Sequence, residues 1–203
     1  MADTTTSKYR SILLFGMPGS GKGTQGAILG QLPAFVHISS GDLLRKLPKW
    51  GELGSEVLRH TSHGTLVPDE LTVRIFLRHI RVLEMQELLL PRVHTLVLDG
   101  LPRNYEQAKM LSENLDVVQI FHLKINDVAK AIDRLHARAL RENRLDDTST
   151  DVIMKRIRIY HEETYQTLRF YDPSLVYDVE GAQTPLGVLC DIATRLRQLE
   201  VSE

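Results

Sequence analysis

Short apolar runs alternate along the chain with longer segments in which apolar residues recur every three or four positions. The short runs are typical of buried β-strands, and the longer segments are typical of amphipathic helices. Five strands are predicted, over Ser11–Phe15, Phe35–Ile38, Thr95–Leu98, Val117–Leu123 and Leu175–Tyr177. Eight helices are predicted, over residues 21–32, 41–47, 54–63, 68–84, 104–115, 126–140, 150–171 and 184–199. Strands that alternate with helices favour an α/β fold, in which helices cover both faces of a parallel sheet.

Two segments interrupt the regular alternation. Between the second and third strands the chain has three predicted helices, where one crossover helix would suffice. Residues 40–67 are therefore interpreted as a small helical insertion that can move as a unit. A short polar connection, Arg141–Asp147, separates two later helices and is a second candidate mobile segment. With 203 residues, the chain is long enough for one well-cored domain that carries such insertions.

The composition, with 42% hydrophobic and 25% charged residues, is that of an ordinary soluble globular protein. A formal net charge of −1 argues against a nucleic-acid partner, because a broad nucleic-acid surface needs a strong basic excess. The single cysteine, Cys190, cannot form an internal disulfide or a zinc site of the CxxC type. We therefore expect a reducing compartment and no structural zinc.

No segment of the sequence resembles a membrane anchor. The first ten residues are polar, and the run Leu88–Leu90 is far too short to cross a bilayer. We therefore expect a cytoplasmic protein with no membrane partner. The chain also lacks an obvious apolar repeat or tail, so a monomer is expected.

The segment Gly16–Thr24, which reads Gly-Met-Pro-Gly-Ser-Gly-Lys-Gly-Thr, carries the strongest chemical signal. It lies between a predicted strand and a predicted helix, so its backbone N–H groups and the positive end of the helix dipole point at one place, where an anion binds. Lys22 adds a positive charge suited to β- and γ-phosphates. A glycine-rich turn without a ligand would not explain four glycines and a lysine at this spacing. The residues expected to hold the phosphates are Gly19, Ser20, Gly21, Lys22, Gly23 and Thr24.

Asp99 follows the third predicted strand directly. Ligands of open parallel sheets bind at the carboxyl ends of the strands, so Asp99 is expected to point toward the same crevice as Lys22. A carboxylate there is suited to holding the water shell of a magnesium ion that bridges the β- and γ-phosphates. The alternative interpretation is a turn-forming aspartate before Gly100.

Four further motifs accompany the glycine-rich loop: Ser40-Gly-Asp-Leu-Leu-Arg45, Gly64–Glu70, Asp99–Arg103 followed by Gln107, and Arg144–Asp147. With the loop, including the glycine after its lysine, they make the chain resemble the adenylate kinases of the nucleoside-monophosphate kinase family over nearly its whole length. The resemblance implies a P-loop NTPase-type sheet of five parallel strands flanked by helices. It also implies a core of residues 1–39, 68–137 and 150–203, a monophosphate-binding insertion at 40–67 and a short lid at 138–149.

The activity that this resemblance implies is reversible, magnesium-dependent phosphoryl transfer from ATP to AMP, which gives two ADP. The residues implied to act on the transferring phosphoryl group are Lys22, Arg103, Arg138, Arg144 and Arg156, with Asp146 and Asp147 orienting the arginines. For ATP, the resemblance adds Arg134 and Arg138 to the loop, and the backbone at Gln183 near the donor adenine. Arg134 resembles the guanidinium that stacks on that base.

The acceptor site implied by the resemblance comprises Ser40, Arg45, Leu66, Val67, Gly100, Arg103, Gln107, Arg144 and Arg156. Arg45 and Arg103 match the two arginines that grip the phosphate of AMP, a task for which the planar guanidinium fork is better suited than lysine. Gln107 can both donate to and accept from the N6 and N1 edge of adenine. A solvated, salt-bridged helix face is the alternative for the arginines, but it would leave the loop at Lys22 without a purpose.

Two other functions compete with this one. A kinase specific for UMP or CMP is the nearest, but Gln107 weighs against it because pyrimidine-selective relatives tend to carry asparagine there. A nucleotide-binding switch that signals through a partner is of a different class. A switch needs only one nucleotide, so Arg45 and Arg103 would have no task in it.

Overall fold

A five-stranded parallel sheet forms the centre of the fold. The computed structural model describes residues 8–48, 51–63, 65–142 and 144–200. Its strands are β1 (Tyr9–Phe15), β2 (Phe35–Ser39), β3 (Thr95–Asp99), β4 (Leu115–Lys124) and β5 (Val176–Glu180). They lie in the order β2-β3-β1-β4-β5, and all neighbouring pairs are parallel. The five predicted strands and the α/β class are therefore confirmed.

Each predicted helix has a counterpart among the described residues. These helices are α1 (Lys22–Leu29), α2 (Ser40–Arg45), α3 (Glu52–Ser62), α4 (Asp69–Met85), α5 (Tyr105–Leu111), α6 (Val128–Glu142), α7 (Thr150–Ile159) and α8 (Pro185–Glu200). A single 3₁₀ turn, Leu145–Asp147, lies between α6 and α7. Gly64 of one predicted motif and Asn143 of the predicted lid lie outside the described residues.

The prediction of one α-helix over residues 150–171 is wrong in its second half. The α-helix ends at Ile159, a π-helical turn follows over Tyr160–Thr164, and a 3₁₀ helix covers Tyr165–Phe170. The wide turn brings Tyr160 onto the sheet, where its hydroxyl lies 2.9 Å from Nε2 of the buried His122 in β4. A π turn shifts the phase of the helix by one residue, and one such shift is too small a change for hydrophobic periodicity to distinguish from a continuous helix.

The predicted helix over residues 104–115 is also too long at its C-terminal end. It ends at Leu111, because Leu115 already pairs with Tyr9 in the sheet.

The hydrophobic core lies on both faces of the sheet. The run Ile12–Phe15 in β1 is fully buried although its side chains alternate between the faces. On one face Leu13 belongs to a cluster with Phe76 of α4. On the other face Leu14 belongs to a cluster with Leu29 of α1 and Ile192 of α8. Burial on both faces explains why Ile12–Phe15 reads as a continuous apolar run rather than as an alternating one.

Two smaller clusters support the segments that surround the crevice. The residues between β2 and α4 have their own apolar cluster, in which Leu44, Val57 and Val67 pack on Leu71 and Ile75 of α4. A second small cluster holds α6 and α7 against the loop after β1 and consists of Met17, Ile125, Ala131, Leu135, Ile153, Ile157 and Tyr160. Within the described ranges, no helix combines the length and apolar character needed to span a bilayer.

Candidate active site

The loop between β1 and α1 has the conformation of an anion-binding turn. Gly16, Gly19 and Gly21 adopt positive φ angles of 145°, 84° and 99°, which favour glycine. A Cβ atom on Gly19 would lie 2.6 Å from the carbonyl oxygen of Ala131, so no larger residue fits there. Gly21 begins α1 and has no side chain with which to cap it. The N–H groups of the first helical turn therefore face the crevice as donors for an anion.

Lys22 is positioned by this loop. Its Nζ atom donates to the carbonyl oxygens of Gly16 at 2.6 Å and Met17 at 3.1 Å. Burial lowers the pKa of Lys22 to about 8; the carboxylate of Asp99 opposes this shift, and nearby arginines reinforce it. An anion bound beside Nζ would stabilise the charged ammonium and raise its pKa again.

A cavity of about 580 Å³ opens between this loop, α6 and the turn after β5. Its volume suits a nucleotide-sized ligand. All residues expected to hold ATP line this cavity, namely Gly19, Ser20, Gly21, Lys22, Gly23, Thr24, Arg134, Arg138 and Gln183. The same wall includes Asp99, Gly100, Arg103, Arg144 and Arg156. The structure thus brings the predicted donor-site and phosphoryl-group residues together in one crevice, while their roles stay predictions.

A second cavity of about 380 Å³ lies beside the first, below α3. It is lined by the predicted acceptor-site residues other than Gly100: Ser40, Arg45, Leu66, Val67, Arg103, Gln107, Arg144 and Arg156. Gly100 lines the first cavity instead. Among the predicted residues, Arg45, Leu66, Arg103, Arg144 and Arg156 line both cavities. The two cavities therefore meet at a wall of guanidinium groups.

Gly100, which follows β3, is bonded to Ser40 of α2 and to Arg103. Its φ angle is 74°, and a Cβ atom there would lie 2.9 Å from Oγ of Ser40. The Ser40 hydroxyl donates to the Gly100 carbonyl oxygen at 2.6 Å, and Nε of Arg103 donates to the same oxygen at 2.9 Å. Burial lowers the pKa of Arg103 to about 10, so its guanidinium is charged at neutral pH.

Three arginines bind one buried carboxylate, that of Asp147. Arg138 donates through Nε at 2.7 Å, Arg156 through Nη1 at 2.5 Å, and Nε of Arg144 lies 3.3 Å away. The Asp147 side chain is 0% exposed. Its carboxylate therefore joins α6, the 3₁₀ turn and α7 at the roof of the crevice.

Asp146 extends this cluster toward the insertion. It accepts from Nη2 of Arg144 at 2.8 Å, and Nη1 of Arg156 lies 3.2 Å from it. Burial opposes ionisation of Asp146, but the Arg144 hydrogen bond and the neighbouring arginine charges outweigh it and lower its pKa to about 2. Nη1 of Arg45 in α2 lies 4.0 Å from Asp146. The insertion and the turn before α7 thus approach each other across the crevice.

Arg134 connects the segments around the far end of the larger cavity. Its guanidinium donates to the carbonyl oxygens of Gly181 at 2.8 Å and Gln183 at 3.1 Å. It also lies 3.5 Å from the carbonyl oxygen of Gly19. These bonds tie α6 to the turn after β5 and to the glycine-rich loop.

Sequence reasoning missed several residues that line the larger cavity. Arg141 follows Arg134 and Arg138 on one face of α6, and the i, i+4, i+7 spacing was the available signal. Asp42 pairs with Arg45 one helical turn later, which the i, i+3 spacing also indicates. Gln25 is buried and its Nε2 donates to the Pro185 carbonyl oxygen at 2.8 Å. That bond joins residues 160 positions apart and has no local signal.

Two buried polar atoms beside the loop lack a hydrogen-bond partner among the residues that the structure describes. They are Oγ of Ser20 and Oε1 of Gln25, and both residues line the larger cavity. Buried polar groups are normally hydrogen-bonded, so this pair in the cavity wall is suited to contact water or a polar ligand.

The groups near the loop fit a magnesium ion that is bound mainly by phosphate and water. Asp99 and Thr24 supply a carboxylate and a hydroxyl to the larger cavity. Asp99 lies close to the start of α1, since a Cβ atom on Gly23 would be 3.4 Å from its Oδ2. Within the described part of the chain, no group of three or more His, Cys, Asp or Glu side chains could hold a metal. Magnesium commonly takes one or two carboxylates and completes its shell with substrate phosphates and water.

A glycine-rich loop that opens a helix at the carboxyl edge of a parallel sheet, with a lysine and several arginines around it, defines a P-loop nucleotide-binding protein. Comparison with known proteins identifies the family within this class. The family model described as adenylate kinase matches residues 14–175. The chain belongs to the adenylate kinase family.

Individual relatives agree with the family model. The chain is 35% identical over 198 residues to an adenylate kinase of Maricaulis maris, which covers 93% of this chain and 99% of the relative. It is 33% identical over 196 residues to one of Cyanothece sp., with 93% and 96% covered. It is 37% identical over 178 residues to one of Nocardia farcinica, with 84% and 90% covered. The resemblance inferred from the motifs is therefore confirmed, and family membership supports a nucleotide phosphotransferase.

Proposed function

We propose that this protein catalyses reversible, magnesium-dependent phosphoryl transfer from ATP to AMP, giving two ADP. The observation that carries the proposal is the arginine wall shared by two nucleotide-sized cavities. One cavity begins at Lys22 and suits a triphosphate, and the other ends at Gln107 and suits the base of a monophosphate. A nucleotide-binding switch needs only the first of them.

The charge of the site suits two phosphate chains brought end to end. ATP carries about four negative charges and AMP about two, and each pair of unit charges ~5 Å apart repels by roughly 3 kcal/mol at an effective dielectric constant of ~20. Lys22, the wall arginines Arg45, Arg103, Arg144 and Arg156, and Arg138 of the larger cavity offset this repulsion. Magnesium bound near Asp99 and Thr24 would add charge neutralisation between the β- and γ-phosphates.

The protein's own contribution is positioning and electrostatic stabilisation. Phosphoryl transfer needs little covalent help, so cations arranged around the equatorial oxygens and an in-line approach of the two phosphates suffice. Water must be kept from the γ-phosphate, or ATP would be hydrolysed. The approach of Arg45 to Asp146, at 4.0 Å, supports closure of the insertion against the turn before α7.

A panel of acceptors under ATP and magnesium tests the proposal. We expect ADP to form from ATP and AMP, and kcat/KM for AMP to exceed that for UMP and CMP at least about tenfold, because base-edge hydrogen bonds discriminate well. A coupled assay measures ADP, with a magnesium-free sample as the control. Equal or better use of UMP would favour the pyrimidine-nucleotide kinase instead.

A bisubstrate compound, two adenosines joined by a chain of five phosphates, separates a kinase from a switch. A kinase with both cavities should bind it with the two adenosines in place, and AMP and ATP should each compete with it. From a switch with one nucleotide site, the compound should be displaced by ATP but not by AMP. Calorimetry with each competitor distinguishes these results.

We expect the affinity for ATP to decrease as the pH rises above about 8. The pKa of Lys22 is lowered to about 8 in the free protein by burial, and a bound phosphate should raise it. Binding then takes up a proton above pH 8, which lowers the affinity by up to about tenfold per pH unit, whereas below pH 8 the lysine is charged in both states. Titration calorimetry of a non-hydrolysable ATP analogue between pH 7.5 and 9.5 measures this. A constant affinity across that range would contradict it.

The remaining expectations concern the state of the protein in the cell. A cytoplasmic monomer, without structural zinc and without a nucleic-acid or membrane partner, stays the prediction from the sequence. Light scattering of the purified protein, with and without nucleotide, would test whether the protein is a monomer.

A further inference from the structure

Gln107 belongs to a hydrogen-bonded network that includes Asp69. Its Nε2 donates to Oδ1 of Asp69 at 2.8 Å, and its Oε1 accepts from the backbone N–H of Arg103 at 2.8 Å. Nδ2 of Asn104 donates to the same Asp69 oxygen at 2.8 Å. Gln107 is 1% exposed and lines the second cavity. The network therefore fixes a side chain that faces the acceptor pocket.

The two partners of the Gln107 amide determine its orientation independently. A primary amide can turn by 180° and exchange its donor and acceptor ends. The ionised carboxylate of Asp69 only accepts hydrogen bonds, and the N–H of Arg103 only donates them. Both require Nε2 on the Asp69 side and Oε1 on the Arg103 side. After these bonds, Nε2 has one further N–H and Oε1 one further lone pair for a ligand.

Asp69 is itself held in place by neighbouring elements. It is the first residue of α4, and its bond with Asn104 spans the contact between α4 and α5. Asn104 in turn caps α5, because its Oδ1 accepts from the backbone N–H of Gln107 at 2.9 Å. Asp69 is absent from the lining of both described cavities, so its effect on a ligand is indirect, and Gln107 is its bonded partner that lines the second cavity.

We propose that Asp69 is a positioning residue that sets acceptor selectivity by fixing the direction of the Gln107 amide. This inference rests on the proposed function, in which Gln107 meets the acceptor base. An amide of fixed direction pairs with a base edge that carries an amino donor next to an unprotonated ring nitrogen, as adenine does at N6 and N1. A 6-oxo purine carries an acceptor and an N–H at these positions, so like groups would face each other. The oriented Gln107 amide therefore distinguishes 6-amino purines from 6-oxo purines.

Inosine monophosphate is the matched probe, because it differs from AMP only in this donor and acceptor pair. In the Asp69→Asn variant, the new amide can donate to Oε1 of Gln107 as readily as it accepts from Nε2, so one of the two constraints disappears. We expect the ratio of kcat/KM for AMP to that for inosine monophosphate to fall about tenfold, the effect of one hydrogen-bond preference of ordinary strength. The KM for ATP should not change.

The control is Glu70→Gln, which removes a carboxylate from the same first turn of α4 at an exposed position. It should leave the AMP to inosine monophosphate ratio as in the wild type. Because both substrates are measured on one preparation, any loss of folded protein cancels from the ratio. A purely structural role of Asp69 would lower both activities and keep the ratio.

A double-variant cycle tests whether the effect passes through Gln107. Asp69→Asn should not change the ratio in a Gln107→Ala background, because the amide that it orients is gone. Provided that the wild type phosphorylates AMP, an unchanged ratio in the Asp69→Asn single variant would overturn the inference. An equal fall of the ratio in the Gln107→Ala background, or in Glu70→Gln, would overturn it as well. A wild type that fails on AMP, or prefers inosine monophosphate, would overturn the proposed function and the inference together.

Discussion

Replacing Lys22 with alanine should lower kcat at least about 10²- to 10³-fold without lowering the melting temperature. Removal of one preorganised donor to a developing charge typically has an effect of this size. The free protein should not lose stability, because burial disfavours the charge of Lys22, as its pKa of about 8 indicates. The two carbonyl oxygens that Nζ contacts, on Gly16 and Met17, lie in a loop whose shape depends on its glycines.

The Lys22→Ala experiment pairs the coupled ADP assay with thermal unfolding of the same sample. Lys155→Ala is the matched control, since Lys155 is exposed on α7 and is not among the residues that line either described cavity. The control should have wild-type turnover. Near-normal turnover in Lys22→Ala would refute the role assigned to the loop lysine.

Replacing Arg103 with alanine should reduce kcat by about 10²- to 10³-fold and raise the KM for AMP, because Arg103 lines both cavities. The Gly100 carbonyl loses one bond in this variant but still accepts from the Ser40 hydroxyl, so the stability should change little. Arg103→Lys should recover only part of the rate, since lysine keeps the charge and loses the planar fork.

The assay for Arg103 varies AMP at saturating ATP and then ATP at saturating AMP. Arg158→Ala is the control, because Arg158 is exposed on α7. A rise in the KM for ATP alone would place Arg103 on the donor side and contradict the assignment. Wild-type kinetics in Arg103→Ala would show that Arg103 has no role in the reaction.

The parts of the fold that local sequence determines could be predicted from the sequence. The second half of β1, Ile12–Phe15, is a continuous apolar run because it is buried on both faces. The loop after it has a fixed spacing of glycines around Lys22. The position of Asp99 followed from its place at the carboxyl end of a predicted parallel strand. In the structure β3 lies next to β1, and Asp99 pairs with Leu14.

The contacts that depend on tertiary packing could not be predicted in this way. The π turn begins at Tyr160, whose hydroxyl contacts His122, a residue 38 positions earlier. Asp69 and Gln107 are likewise 38 positions apart, and only the packing of α4 on α5 brings them together. Their residue types were visible in the sequence, but their pairing was not.

The carboxylates of Asp146 and Asp147 already occupy the arginines Arg138, Arg144 and Arg156. Incoming phosphates therefore meet guanidinium groups that are already paired, and each arginine divides its N–H donors between a carboxylate and a phosphate. The free energy gained on binding each nucleotide is then smaller than the sum of its own contacts, because part of each guanidinium charge is already compensated. In the reversible transfer proposed above, this compensation would keep either pair of nucleotides from being bound too tightly to dissociate.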